Sequence, residues 1–413
     1  MCFLQLSLDS LPKETKKLYL AFSGGIDSTV LLHALQPHQQ HYQIIVWHIN
    51  HGLQGSANSM QEFARQQANQ YGLEFRLDNL NMDPLAGNLE AKARDHRYRL
   101  FENVLCDHDV LLTAHHKNDQ AETLILNMMR GSGSSGLRAI ARQKSLGKGV
   151  LFRPLLNYSR HEIEQYAESH KLEWIEDPSN KSIKFDRNYL RHEVLPAIIK
   201  RWPSAISQLQ RVSELQNESE QLQTDLARID YLQAEVNKPF SPASCISIEA
   251  LSLLSLARKK NMIRYWIKVN DFSVIGFHKI EELLKQLNSR IDAMPVIVGN
   301  DFQVRVFKKM LYLVDGSNSL DLEVSYNMPD SGYLDIPGLN FSQSRSDVFE
   351  YLKKRDEGQS IELKFRQPTQ SGITTPHSHS LKRLFQKNQI PPWKRSSIPQ
   401  IFLNNELSAL WLL

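Results

Sequence analysis

The segment Ser23-Gly24-Gly25-Ile26-Asp27-Ser28 is where residue types and spacing first point to chemistry. Two adjacent glycines let the backbone turn tightly and approach a ligand closely. An apolar run precedes the segment and a helical pattern follows it, so free N–H groups gather at a helix start, a place that suits a phosphate. The hydroxyls of Ser23 and Ser28 add donors. The loop holds no lysine, which separates it from the G-x-x-x-x-G-K-[ST] loop of γ-phosphate transfer. Asp27 is out of place beside phosphates unless a cation stands between them, so the residues imply Mg2+ bridging Asp27 and a pyrophosphate. The plain alternative is a Ser/Gly turn whose Asp is favoured by the helix dipole.

A second candidate is Thr113-Ala-His115-His116-Lys-Asn118-Asp119-Gln-Ala-Glu122-Thr123, at the end of one apolar run and the start of a helical one. Asp119 and Glu122 stand three apart and share a helix face. Two carboxylates there can hold a cationic amine by charge-assisted hydrogen bonds, or simply favour the helix start. His48-x-x-His51 and His115-His116 invite a zinc reading. Neither pair brings a nearby cysteine or an H-E-x-x-H pattern, so the ligand set is incomplete.

The elements that must position these residues alternate. Strands are expected at Leu18–Phe22, Tyr42–Ile49, Glu74–Leu80 and Asp109–Ala114, with helices at Thr29–Leu35, Ser59–Tyr71, Glu90–Leu105 and Gln120–Arg130. Such alternation predicts an α/β domain with a doubly wound parallel sheet, helices on both faces and a ligand at the carboxyl ends of the strands. Gly131-Ser-Gly-Ser-Ser-Gly136 reads equally as a lid or as a plain connector. A short strand is expected at Phe152–Leu155, and Ser159 with Glu162 forms a capping-box pattern. Asp177-Pro-Ser-Asn180 reads as a turn, and Arg187–Ile199 as a helix. A polar helix over residues 204–236 leads into a second region, with helices at Glu249–Ile267 and Val274–Leu287 and strands at Val296–Val298, Phe302–Phe307 and Met310–Val314. Residues 321–413 read as short strands and one helix, Ser380–Lys387. The expected domains are therefore 1–203, 204–320 and 321–413, the last mixed α+β.

Composition bounds the partners. Three cysteines, far apart among 413 residues, argue against a disulfide framework and fit a reducing cytoplasm. No apolar stretch approaches membrane-spanning length. Net charge is only +4, yet residues 138–201 carry 13 Lys/Arg against 8 acids and residues 351–413 carry 10 against 4. That bias suits a polyanion such as RNA, or is ordinary variation on a solvated surface. Pro391-Pro392-Trp393-Lys394-Arg395 divides the same way, between stacking on a base and packing Trp393 into its own domain.

The loop at residues 23–28 resembles that of the PP-loop ATP pyrophosphatases, which cleave ATP between its α- and β-phosphates and adenylate an oxygen of the second substrate. Other blocks resemble, in order, the tRNA(Ile)-lysidine synthetase family: Val46–Leu53, Glu90–Tyr98, Thr113–Thr123, Arg153–Leu156, Ile175–Asn180, Arg187–Arg191 and Arg383–Arg395. Asn118 departs from the family, where an acid is more usual. The resemblance implies a ligase using ATP and Mg2+ that joins L-lysine to tRNA(Ile) with anticodon CAU in the cytoplasm, with no protein partner required. It implies that Ser23, Gly24, Gly25, Ile26, Asp27 and Ser28 bind phosphates and metal, and that backbone at Trp47 and His48 meets adenine. It places His115, Asp119 and Glu122 around the lysine and the reacting base, and Arg94 and Arg191 on phosphate or cytidine. A PP-loop tRNA thiolase would need persulfide-forming or cluster-binding cysteines, and Cys106, at the end of a helix, has no C-x-x-C partner. A noncatalytic RNA-binding protein with a degenerate ATP site is opposed by the intact loop and carboxylate pair.

Overall fold

The computed structural model describes residues 4–50, 57–80, 89–176, 182–236, 245–273, 275–289, 296–315, 325–327, 361–365, 378–396, 398–403 and 406–410. They fall into two compact units, Met1–Gln221 and Leu222–Leu413.

The first unit opens with β1 (Lys17–Ala21), α1 (Ile26–Ala34), β2 (Gln43–Asn50), α2 (Ala57–Gln70), β3 (Glu74–Asn79) and α3 (Leu89–Val104). It continues with β4 (Val110–Leu112), α4 (Lys117–Met129), a single helical turn α5 (Ser134–Leu137), β5 (Gln143–Leu146), β6 (Gly149–Phe152) and α6 (Arg160–Ser169). The sheet order is β3-β2-β1-β4-β6-β5, parallel except for the edge strand β5. Burial on both faces explains why β1 and β4 are near-continuous apolar runs. Leu18, Leu20, Val46 and Leu112 pack against one layer with Val30, Leu31 and Ile163. Tyr19, Trp47, Leu111 and Leu151 face the other, with Phe101. From β1 the chain winds outward to β3, then returns to β4 on the opposite side of β1. That reversal makes the carboxyl ends of β1 and β4 the switch point where such sheets bind ligands.

Several elements differ from the sequence expectation. The strand expected at Phe152–Leu155 lies earlier, because Pro154 opens a 3-10 turn over Pro154–Asn157. Its antiparallel partner β5 is polar and exposed for three of its four residues, so it carries no strand pattern. The glycine-rich segment holds the turn α5. Arg187–Ile199 is helical but not uniform: α7 (Asp186–Tyr189) passes through a π stretch, Leu190–Val194, into α8 (Leu195–Arg201). Asp177–Asn180 lies outside the described residues.

The polar helix expected over 204–236 is α9 (Ala205–Ala234). In the second unit, β7 (Glu235–Val236) and β8 (Cys245–Ser247) are followed by α10 (Ile248–Ser252) and α11 (Leu256–Val269), a break fixed by the Ser255 cap where one helix was expected. Then come α12 (Phe277–Ser289), β9 (Val296–Val298), β10 (Phe302–Phe307) and β11 (Met310–Asp315). The five strands order β7-β8-β11-β10-β9 over a core of Met262, Ile263, Trp266, Leu283 and Phe302. A four-stranded sheet, β12 (Ser325–Asn327), β13 (Ile361–Lys364), β14 (Gln400–Leu403) and β15 (Glu406–Leu410), accompanies a helix at Ser378–Lys387. Trp393 is half-buried and packs against two rings, 5.6 Å from that of Tyr312 and 6.1 Å from that of Phe307. No helix among the described residues is long and apolar enough to cross a membrane.

Lys308 and Lys309 join β10 to β11 at φ of 48° and 60°. A two-residue hairpin loop with positive φ at both positions favours Asn-Gly. Replacing the pair by Asn-Gly is expected to stabilise the chain by about 1 kcal/mol. An unchanged urea midpoint would show that the lysines fill the turn without strain.

Candidate active site

The loop after β1 is built from its own hydroxyls and amides. Gly24 sits at φ 87°, a conformation that glycine adopts without the Cβ penalty. Its N–H donates to Ser28 Oγ at 3.2 Å, the Gly25 N–H to Ser23 Oγ at 3.4 Å, and Ser28 Oγ–H to the Gly25 carbonyl at 2.9 Å. Gly25 caps α1 without a side-chain bond, so first-turn N–H groups remain available to an anion. The Ile26 side chain points into the core, leaving only its backbone to serve a phosphate.

Asp27 lies in that first turn. Arg160 Nη1 donates to both its carboxylate oxygens at 3.0 and 3.1 Å, and His116 Nε2 stands 3.7 Å away. The cation that Asp27 requires beside phosphates is thus partly supplied by Arg160, a residue the sequence reading did not single out. Burial nevertheless holds the Asp27 pKa above the usual carboxylate value, against the opposing pull of His116 and Arg160. A carboxylate still gaining from positive charge, 30% exposed and beside free helix amides, fits Mg2+ held mainly by phosphate oxygens and one protein carboxylate.

The loop after β4 supplies the second wall. His116 caps α4: its Nδ1 accepts from the Asn118 N–H, and its own N–H donates to Asp119 Oδ2 at 2.9 Å. That bond turns Nε2 toward Asp27 and Asp119. Asn118 Oδ1 accepts from the Arg160 N–H at 3.0 Å and so ties the start of α4 to the start of α6. The Ser159–Glu162 capping box fixes the same helix end. An acid at position 118 would bring a further charge to this junction; the amide holds it with none.

Asp119 and Glu122 share a face, and the cations that meet them are Arg187 and Arg191. Arg187 Nε donates to Glu122 Oε2 and its Nη2 to Asp119 Oδ1, both at 2.8 Å. Arg191 Nε donates to Glu122 Oε1 at 2.7 Å, with Nη2 3.2 Å from Asp119 Oδ1 and 2.9 Å from Glu122 Oε2. Glu122 is fully buried. Burial alone would push the Asp119 pKa up, but His116, Arg187 and His115 outweigh it and hold the carboxyl well below its ordinary range. The same pairing raises both arginines against the downward effect of burial. Arg187 and Arg191, four apart on one helical segment, match carboxylates three apart on another. That spacing is the signal in the sequence that would have paired them.

The other expected site residues sit around this centre. Trp47 is buried, donates from Nε1 to Asp78 at 2.8 Å, and gives its carbonyl to the Phe22 N–H at 2.9 Å. His48 bonds the Phe22 carbonyl through Nδ1 at 2.9 Å, and burial lowers its pKa. His51 lies outside the described residues. His115 Nδ1 meets Thr113 Oγ1 at 2.9 Å. Burial and the nearby Arg153, Arg187 and Arg94 push its pKa down to about 3, against the pull of Asp119, so it is neutral at ordinary pH. Arg94 is exposed on α3, its guanidinium 5.3 Å from the Tyr98 ring centre.

A doubly wound sheet with a lysine-free phosphate loop at its switch point defines a PP-loop enzyme, and the PP-loop domain model matches residues 3–198. Models described as the TilS substrate binding domain and the TilS substrate C-terminal domain match residues 246–312 and 357–411. The chain is 34% identical over 402 residues to the tRNA(Ile)-lysidine synthase of Legionella pneumophila (strain Lens), covering 96% of this chain and 91% of that one. It is 35% identical to those of Serratia proteamaculans (strain 568), over 95% and 90%, and of Coxiella burnetii (strain RSA 493 / Nine Mile phase I), over 95% and 87%. The chain belongs to the tRNA(Ile)-lysidine synthase family and is an ATP-dependent ligase.

Glu122→Gln leaves two guanidiniums facing one carboxylate. Partial exposure of the arginines moderates the loss, and the expected cost is about 2–4 kcal/mol of stability, read by urea unfolding. A cost below about 0.5 kcal/mol would mean that the network is not formed. His115 gives a pH effect. Below about pH 6.5 the unfolded chain protonates it, while the folded chain refuses the proton until about pH 3, so acidification through that window favours unfolding. His115→Gln is expected to lose stability less steeply than the wild type between pH 6.5 and 4.5. Equal slopes would show that His115 already holds its proton in the fold.

Proposed function

We propose that the chain adenylates the C2 position of the wobble cytidine of tRNA(Ile) with anticodon CAU, then couples L-lysine there to give lysidine. Cytidine O2 attacks the α-phosphorus of ATP and pyrophosphate leaves. The lysine ε-amine then attacks C2, the C2–O bond breaks, AMP departs with the oxygen, and the nitrogen loses a proton. The reading is carried by a phosphate loop after β1 facing a carboxylate–guanidinium wall after β4, in a chain that aligns over 96% of its length with a tRNA(Ile)-lysidine synthase.

Ser23, Gly24, Gly25, Ile26 and Ser28 receive the phosphates through amides and hydroxyls, and backbone near Trp47 and His48 receives adenine. Asp27 is the carboxylate for Mg2+, which when bound would neutralise charge on the phosphate oxygens. Arg160 must then share Asp27 or turn to the phosphates. His115 is neutral and can accept a proton as the amine attacks; the negative charge of bound ATP raises its basicity. Asp119 and Glu122, tied to Arg187 and Arg191, shape the amine pocket and keep its net charge near neutral. Arg94, exposed on α3, meets an RNA phosphate in this reading. We assign the chemistry to residues 1–203 and the grip on tRNA to 204–320 and 321–413, in a cytoplasmic enzyme with no required protein partner.

The test is incorporation of labelled L-lysine into a tRNA(Ile) transcript with anticodon CAU, beside elongator tRNA(Met), with ATP and Mg2+. Selective labelling of tRNA(Ile) is expected, with AMP formed in step. Asp27→Asn keeps the side chain's shape and is expected to lower AMP formation by at least about 10²-fold. AMP formation without lysine uptake would keep the ATP chemistry and reject the nucleophile. An undiminished Asp27→Asn enzyme would reject the role given to Asp27.

A further inference from the structure

The guanidiniums at the carboxyl end of the sheet are not alike. Arg160 has Asp27 and Glu164, and Arg187 and Arg191 have Asp119 and Glu122. Arg153 is 7% exposed, yet among the described residues no carboxylate lies within ion-pair distance of it. Its Nη1 donates to the Ala141 carbonyl, and its backbone N–H to the Arg142 carbonyl at 2.9 Å. Its Nε is buried and has no hydrogen-bond partner. The groups acting on it are the Tyr98 hydroxyl and the like charge of Arg94, and burial leads in lowering its pKa. A buried guanidinium without a counter-anion is costly. An unpaired donor among cations is the complement of an anion.

Its place in the sheet limits which anion. Arg153 follows β6, which pairs with β4, and Thr113 at the end of β4 donates its N–H to the Phe152 carbonyl at 3.1 Å. The phosphate loop follows β1, on the other side of β4. Two strand spacings, roughly 9–10 Å, therefore separate the strand end of Arg153 from that of the phosphate loop. An extended lysine spans roughly 7–8 Å from carboxylate carbon to ε-nitrogen, and a hydrogen bond of about 2.9 Å completes the distance. A phosphodiester of RNA brings two bulky sugars to so buried a donor, whereas a free amino acid's carboxylate is small and planar, the shape a guanidinium matches.

Resting on the reading of L-lysine as nucleophile, we propose that Arg153 is the subsite for the amino acid's α-carboxylate. Anchored over β6, the side chain reaches back past α4 and delivers its ε-amine over β1. Arg153 is then a specificity residue: it selects an amino acid over a simple diamine and sets the reach of the amine.

The experiment compares kcat/KM for L-lysine and for cadaverine, which is lysine without its carboxylate, on tRNA(Ile) with anticodon CAU. The wild type is expected to prefer lysine strongly. Arg153→Met is expected to raise the lysine KM on the order of 10²-fold, the loss of one charge-assisted pair, with cadaverine use little changed, so that the preference collapses. Arg153→Lys keeps the charge and is expected to recover part of it. Equal losses for both amines would overturn the proposal and leave Arg153 a structural residue. If Arg153→Met does not fold, the wild type is tested with lysinamide: a KM raised on the order of 10²-fold supports the subsite, and an unchanged KM overturns it. A wild type that couples cadaverine as well as lysine overturns the subsite but keeps the amine chemistry. One that couples neither overturns the nucleophile reading as well.

Discussion

The fold of the catalytic unit depends on burying Glu122. An isolated carboxylate taken out of water costs several kcal/mol even after the protein relaxes. The chain offsets that cost with two guanidiniums, each bridging Glu122 and Asp119. Two negative and two positive charges leave the cluster close to neutral. The consequence is positional. Arg187 belongs to α7 and Arg191 to the π stretch after it, so the cluster fastens that helical segment to α4. Leu195, Ile206 and Ala121 close an apolar seam beside it. Because α4 starts at the end of β4, the ion pairs set the wall against which the phosphate loop works.

A second tie brings the β1 loop to the same wall without burying another full charge. Asn118 accepts from the Arg160 backbone, which places the α6 start; Arg160 then turns its guanidinium onto Asp27. His116 lies between Asp27 and Asp119 with its Nε2 toward both. Three elements far apart in sequence, α1, α4 and α6, therefore present their N-termini to one place. Each helix start adds partial positive charge, and this convergence favours an anionic ligand more than any single residue does.

How much of this the sequence discloses follows from what each residue packs against. The strands β1, β2 and β4 are legible because burial on both faces leaves unbroken apolar runs, and the capping box at Ser159–Glu162 is legible because its bonds are local. The edge strand β5 is not, since one neighbour and open solvent impose no apolar pattern on Gln143–Leu146. The phosphate loop is legible as a loop, yet its cation is not: Arg160 is 133 residues from Asp27, and nothing local marks it. Asp119 and Glu122 announce a need for positive charge. Whether a substrate or the protein meets that need depends on Arg187 and Arg191, 68 and 69 residues on. Trp393 is ambiguous for a related reason: an aromatic beside two cations fits a nucleic acid and a packed hairpin equally, and the ring contacts to Tyr312, Phe307 and Arg305 arise only in the fold.

Charge pairing orders the residues of the site by what remains for a ligand. Asp119 and Glu122 are saturated by Arg187 and Arg191, so what they offer a ligand is shape and a balanced field more than direct ion pairing. Asp27 is half-served: Arg160 reaches it, yet burial still holds its proton more tightly than usual, so further positive charge arriving with a nucleotide is favourable there. Arg153 is unserved. Reading along the sheet from β1 to β6, the need passes from positive charge, through balance, to negative charge. An extended zwitterionic amino acid with its amine over β1 and its carboxylate over β6 matches that gradient end to end, whereas a diamine matches only one end of it.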